Sequence, residues 1–185
     1  MSKAVGEESV SAYSKIDPKF RYEVTKMPGG EKLLQCFQCG TCTSDCPIAR
    51  FSDKYRPRKI IRMAQLGLRE KVLSSDFLWL CASCFTCTDR CPQGVEVASV
   101  IRVLKNMAVM EGRIPEVYRV LLGTLVKTGY IYEIPESRIK RREALGLPPL
   151  PKVNIEGLNK ILRNIGVEKF LGGEPKKGGE AKVWV

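Results

Sequence analysis

Apolar residues fall at helical intervals over most of the chain, while alternating apolar and polar runs are scarce. Val97, Val100, Ile101, Leu104, Met107 and Ala108 make the clearest face, with Gly112 placed to close that helix. Upstream, Pro57 suits the first turn of a helix carrying Ile60, Ile61, Ala64 and Leu68. Another amphipathic helix follows Pro115, with Tyr118, Leu121, Leu122, Leu125 and Val126 on one side and Gly129 beyond its end. A more polar helix is expected from Glu136 to Leu145, stopped by Gly146, Pro148, Pro149 and Pro151. The last begins near Asn154 and carries Leu158, Ile161, Leu162 and Ile165 before Gly166. The first residues show little periodicity, and a short strand is expected at Phe20 to Val24, before the turn Met27-Pro28-Gly29-Gly30. The pattern predicts a mainly α fold.

Two polar stretches interrupt these helices and share one outline. Cys36-Phe-Gln-Cys-Gly-Thr-Cys-Thr-Ser-Asp-Cys-Pro47 returns as Cys81-Ala-Ser-Cys-Phe-Thr-Cys-Thr-Asp-Arg-Cys-Pro92. Glu31-Lys-Leu-Leu-Gln should deliver the chain to the first as one or two helical turns. Ser75-Asp-Phe-Leu-Trp-Leu should do the same for the second, with Ser74 or Ser75 as N-cap. The organisation expected is an N-terminal arm at 1–30, a cysteine-bearing domain at 31–112, a helical extension at 113–171 suited to subunit contacts, and a flexible tail at 172–185.

All eight cysteines lie in the repeat, and there is no histidine. Imidazole acid-base chemistry and mixed cysteine/histidine metal sites are thereby excluded. The spacing C-x2-C-x2-C-x3-C-P is that of bacterial two-cluster ferredoxins, in which three close thiolates hold one [4Fe-4S] cube and the fourth reaches the other. Cys36, Cys39, Cys42 and Cys91 are therefore expected to hold one cluster, and Cys81, Cys84, Cys87 and Cys46 the other. Gly40 permits a positive φ in the first loop, whereas Phe85 stands at the matching place in the second. Each closing proline removes a donor and fixes φ where the loop leaves its cluster. The competing reading is two structural zinc sites of four thiolates each.

The net charge of +11 falls to about +7 when eight thiolates and two oxidised cluster cores are counted. Such a balance suits nucleic acid, an anionic membrane surface or an acidic partner protein. The basic run Arg138-Ile-Lys-Arg-Arg142 has no interleaved aromatic and reads as a solvated face rather than a nucleic-acid site. Arg50 and Arg90 flank the motifs as surface charges or as groups that raise a cluster's potential. Trp79, Phe37 and Phe85 read as shields against water. The longest mostly apolar stretch, Val120 to Val126, is too short to span a bilayer. The N-terminus lacks the layout of a secretory signal, and reduced thiols fit a cytoplasmic location. No dinucleotide- or flavin-binding glycine pattern and no spare cysteine is present, so the chemistry on view is one-electron storage in an electron-transfer subunit.

The two motifs, the helical interval between them and the segment Trp79-Leu-Cys-Ala-Ser-Cys-Phe-Thr-Cys-Thr-Asp-Arg-Cys-Pro92 resemble the C subunit of heterodisulfide reductase, over about residues 30 to 112. The resemblance implies an α-helical ferredoxin domain that carries electrons from the flavin-containing A subunit of that enzyme to its catalytic B subunit. There the heterodisulfide of coenzyme M and coenzyme B is reduced in methanogenesis. It further implies a hydrogenase or formate dehydrogenase as the electron source, and no catalytic residue in this chain. The same helical unit occurs in the iron-sulfur subunits of quinone-linked oxidoreductases, which gives a second relay reading; a zinc-stabilised nucleic-acid-binding module is a third.

Overall fold

A computed structural model describes residues 16–171, so residues 1–15 of the expected arm and the expected tail at 172–185 lie outside the described residues. The elements are α1 Phe20–Lys26, α2 Thr41–Ser44, α3 Pro47–Phe51, α4 Pro57–Gln65, α5 Arg69–Leu73, α6 Thr86–Asp89, α7 Val97–Met110, α8 Glu116–Thr128, α9 Glu136–Ala144, α10 Ile155–Asn164 and α11 Glu168–Leu171. Short 3-10 turns at Leu33–Gln35 and Asp76–Leu80 lead into the two cysteine motifs. No strand occurs among the described residues. The fold is mainly α, as the periodicity predicts.

Three expectations are corrected. Phe20 to Val24 is the body of helix α1, not a strand: Phe20 and Val24 are fully buried while Tyr22 between them is exposed, which a strand's period of two would place on the same face. The helix expected through Leu68 also ends earlier, at Gln65. Gly67, with φ +76, breaks the register before α5 begins at Arg69. Ser75 does occupy the N-cap position before Asp76, but its hydroxyl donates back to the Lys71 carbonyl and makes no cap hydrogen bond. Asn154 caps α10 as expected, its Oδ1 accepting from the Gly157 N–H at 2.9 Å.

The chain divides into two compact units between Arg113 and Ile114. In the first, α4 packs on α1, α5 and α7, and their apolar faces enclose one core. Phe20, Leu33, Tyr55, Ile60, Ile61, Leu73, Leu78, Ile101 and Leu104 are each at most 1% exposed, so they carry most of its hydrophobic stabilisation. A charged clamp closes its rim. Arg69 pairs with Glu23 on α1 at 2.6 Å and with Glu111 beyond α7 at 2.7 Å, and Arg113 pairs with Glu70 at 2.7 Å.

The second unit is built differently. Its helices α8 and α10 pack together, with Asn159 Nδ2 donating to the Val126 carbonyl at 3.3 Å, yet no residue of α8, α9 or α10 is fully buried. Val117, Val120, Ile161 and Ile165 are all more than half exposed. The basic residues of α9 lie on a solvated helix, Lys140 pairing with Glu136 at 3.2 Å. No helix among the described residues is long and apolar enough to cross a membrane.

Candidate metal centre

The sequence repeat is also a repeat of backbone conformation. Gln38 and Ser83, each two residues after the first cysteine of its motif, have φ of +67 and +52. Gly40 and Phe85, each just after the second cysteine, have φ of +94 and +62. The second loop therefore makes the same left-handed turn as the first, although it does so with a phenylalanine, against the steric preference of a Cβ. Each turn opens a single helical turn, α2 or α6, that carries the third cysteine inward.

These two short helices pack against each other, and each is tied to a longer helix by a threonine. Thr43 Oγ1 accepts from the Arg58 N–H at the start of α4, at 3.0 Å, and Thr88 Oγ1 accepts from the Ala98 N–H at the start of α7, at 3.2 Å. A cysteine loop thus caps each of the two main core helices, and their positive ends adjoin the thiols. Sequence reading missed both threonines. Their partners lie 15 and 10 residues away, beyond any local capping pattern.

Burial follows the same twofold plan. Cys42, Cys46 and Cys87 are buried, Cys36, Cys81 and Cys91 are half-buried, and Cys39 and Cys84 are exposed. Burial pushes the Cys42 thiol up to about 11, with Cys36, Cys39 and Cys91 as further charged neighbours. Burial likewise pushes Cys87 up to about 12, beside Cys81, Cys42, Cys46 and Cys84. The exposed pair behaves oppositely. Cys39 and Cys84 are held below the usual thiol range, chiefly by side-chain hydrogen bonds with Thr41 and Thr86. A small pocket is lined by Cys46, Cys81, Cys84 and Cys87, together with Tyr55 and Phe85.

Donors surround the sulfurs. The Ser83 N–H donates to Cys81 Sγ at 3.4 Å, the Val95 N–H to Cys91 Sγ at 3.3 Å, and Gln38 Nε2 to Cys36 Sγ at 3.4 Å. Such donors are those that orient and tune the ligands of a metal centre. Gln65, one of two buried polar residues in the core, anchors the first loop: its Nε2 donates to the carbonyls of Leu33 at 3.1 Å and Cys36 at 2.9 Å, and its Oε1 accepts from Gln38 at 3.2 Å. At the second loop Lys105 Nζ donates to the Cys81 carbonyl at 3.1 Å. Buried Tyr55 lines the same pocket as Cys81; burial first, then the neighbouring Cys81, push its hydroxyl pKa well above the usual phenol range.

An all-thiol donor set with inward sulfurs and aimed N–H groups fits iron-sulfur clusters. Of the flanking cations, Arg90 is mostly exposed and 4.0 Å from Asp45, and Arg50 is exposed, so both are screened surface charges.

Residues 32–95 match the family described as a 4Fe-4S dicluster domain, which sets aside the zinc reading and accounts for two [4Fe-4S] clusters on eight cysteines. Among similar proteins, the C subunit of the H2:CoB-CoM heterodisulfide,ferredoxin reductase of Methanothermobacter marburgensis is 34% identical over 172 residues, 90% of this chain and 92% of its own. The iron-sulfur C subunit of the CoB-CoM heterodisulfide reductase of Methanopyrus kandleri is 34% identical over 77% of each chain. The C subunit of the ferredoxin/F420H2-dependent CoB-CoM heterodisulfide reductase of Methanosarcina acetivorans is 37% identical over 77% of this chain and 91% of its own. With eight thiols arranged in two paired loops and relatives matching across nine-tenths of its length, the chain belongs to the family of heterodisulfide reductase C subunits.

Proposed function

We propose that this chain is the electron relay of a heterodisulfide reductase complex, taking electrons from a flavin-bearing subunit and passing them to a separate catalytic subunit. The coenzyme M-coenzyme B heterodisulfide is reduced on the catalytic subunit, and a hydrogenase or formate dehydrogenase feeds the flavin. Each [4Fe-4S] cluster, when bound, stores one electron. The chain itself supplies the eight thiols that would hold two such groups, with Cys42, Cys46 and Cys87 buried and Cys39 and Cys84 at the protein surface.

The observation that carries this reading is which cysteines lie beside the fourth cysteine of each motif. Cys46 shares a cavity with Cys81, Cys84 and Cys87, and Cys91 neighbours Cys42 along with Cys36 and Cys39. That supports ligand sets of Cys36, Cys39, Cys42 and Cys91 on one side and Cys81, Cys84, Cys87 and Cys46 on the other. The exposed thiols Cys39 and Cys84 then mark an entry and an exit, with half-exposed Phe37 and Phe85 beside them. The open apolar faces of α8 and α10 suit docking to the other subunits.

Two measurements on anaerobically purified, iron-loaded chain test it. Cys46→Ala should disturb the same electron paramagnetic resonance signal that Cys84→Ser disturbs; a loss confined to the signal sensitive to Cys39→Ser would contradict the crossed sets. The isolated chain should bleach on reduction with dithionite yet release no thiols from the heterodisulfide. Thiol release by this chain alone would overturn the relay assignment.

A further inference from the structure

The two halves of the site share their thiols and differ in what holds them. The carbonyl of Cys36 is held by Gln65, a neutral amide that is 9% exposed. The carbonyl of Cys81 is held by the ammonium of Lys105, half-buried on α7, which also lies 5.9 Å from the centroid of the Trp79 ring. An aromatic ring on one side and a carbonyl on the other keep that charge in place and partly out of water. In such surroundings a unit charge acts on its neighbours through a lower effective dielectric than an exposed one does.

Charges near the first half do not match it. Arg58 runs past Gly40 and Lys32 lies near Gly94, but both side chains are exposed and screened by solvent. Arg90 and Asp45, which bridge the two loops, largely cancel. Tyr55 adds to the difference, since its buried side chain lines one pocket with Cys81, whereas Cys36 is bonded by glutamine amides.

We propose that Lys105 biases the relay: its ammonium, bonded to Cys81, favours an electron on the Cys81 side of the pair over the Cys36 side. This rests on the two-cluster relay proposed above. A low-potential one-electron reductant gives up one electron, and the iron held by Cys81, Cys84, Cys87 and Cys46 gains it; no bond forms or breaks and no proton moves. When the electron is first placed on the Cys36 side, that side is oxidised as the other is reduced. Lys105 touches neither iron nor substrate in this account. It is a positioning residue that acts through Cys81 and gives the relay a downhill direction from the Cys36 side to the Cys81 side.

The test is an anaerobic redox titration of the full iron-loaded chain, reduced with dithionite and followed by electron paramagnetic resonance. Cys84→Ser assigns the signals, because the one that it perturbs or abolishes belongs to the Cys81 side. The higher of two potentials should belong to that signal. Lys105→Met should shift the electron's distribution toward the Cys36 side by about tenfold, equivalent to about 59 mV for one electron. Lys105→Arg should restore the distribution, and Tyr55→Phe should shift it less than Lys105→Met.

A lower potential for the Cys84-sensitive signal overturns the proposal, whatever the Lys105 variants do. So does a shift of both signals by equal amounts in Lys105→Met. Failure of the underlying reading looks different: fewer than two clusters' worth of iron and labile sulfide in the unaltered chain.

Discussion

At the scale of single residues, the eight thiols were legible because their spacing is local, and the groups that support them were not. Gln65 reaches Cys36 across 29 residues, and Lys105 reaches Cys81 across 24. Neither has a signature of its own, since a glutamine or lysine on a helix face is ordinarily solvated. Phe85 is the instructive case between these. Its position in the repeat marks it as the counterpart of Gly40, but only the backbone reveals that it takes the same left-handed turn, at φ +62, without a glycine's freedom. A side chain in that region costs roughly 1–2 kcal/mol. Replacing Phe85 by Ala and by Gly separates strain from lost packing, because the two variants differ by one methyl. Phe85→Gly should be the more stable of the two by about 1 kcal/mol, reversing the usual preference for Ala over Gly, and Gly40→Ala should cost a similar amount. Denaturation midpoints of the iron-loaded variants, compared at one scan rate under argon, check this. Equal midpoints for the two Phe85 variants would show that the loop relaxes.

At the scale of elements, long periodic segments and the turns leading into the two motifs read correctly, and other short elements did not. Helix α7 has apolar residues on successive turns and buries Val100, Ile101, Leu104 and Ala108 completely, so pattern and packing agree. Helices α3 and α5, with five residues each, are too short to show a period, and their existence depends on what they pack against. Phe20 to Val24 misled for the same reason: two buried residues in five fit either a strand or a turn of helix, and contact with α4 settles the matter. Periodicity also does not separate a face buried within the chain from one left open. Leu104 of α7 is 0% exposed, and Ile161 of α10 is 60% exposed, though both sit on regular apolar stripes. Leu104→Ala should therefore destabilise the iron-loaded chain by about 2–5 kcal/mol. Ile161→Ala should change the isolated chain by less than about 0.5 kcal/mol. Thermal scans of both variants test the contrast, and a large loss in Ile161→Ala would mean that this stripe is buried within the chain after all.

At the scale of the whole molecule, the two units depend on different things. The unit ending at Arg113 has a closed apolar core, but Cys42, Cys46 and Cys87 are part of it, so its centre is completed by groups that the chain does not encode as side chains. Burial raises the Cys42 and Cys87 thiols to about 11 and about 12, so without metal both remain protonated at neutral pH. Iron loading must displace those protons, which couples metal binding to the fold of this unit. Loss of iron should therefore loosen α2 and α6, and with them the threonine caps on α4 and α7. The unit from Ile114 onward contains no cysteine, so its fold is expected to survive removal of the metal. Removing iron from the full chain with a chelator under argon should then speed amide exchange around residues 36–46, 55–65 and 81–110 by at least about tenfold, the factor that 1.4 kcal/mol of lost local stability gives. Exchange within residues 116–164 should change by less than about twofold. Mass spectrometry of peptides from the two units measures both at once. Equal acceleration in both units would mean that the extension also folds on the clusters, and no acceleration in either would mean that the apolar core holds the thiol loops without them.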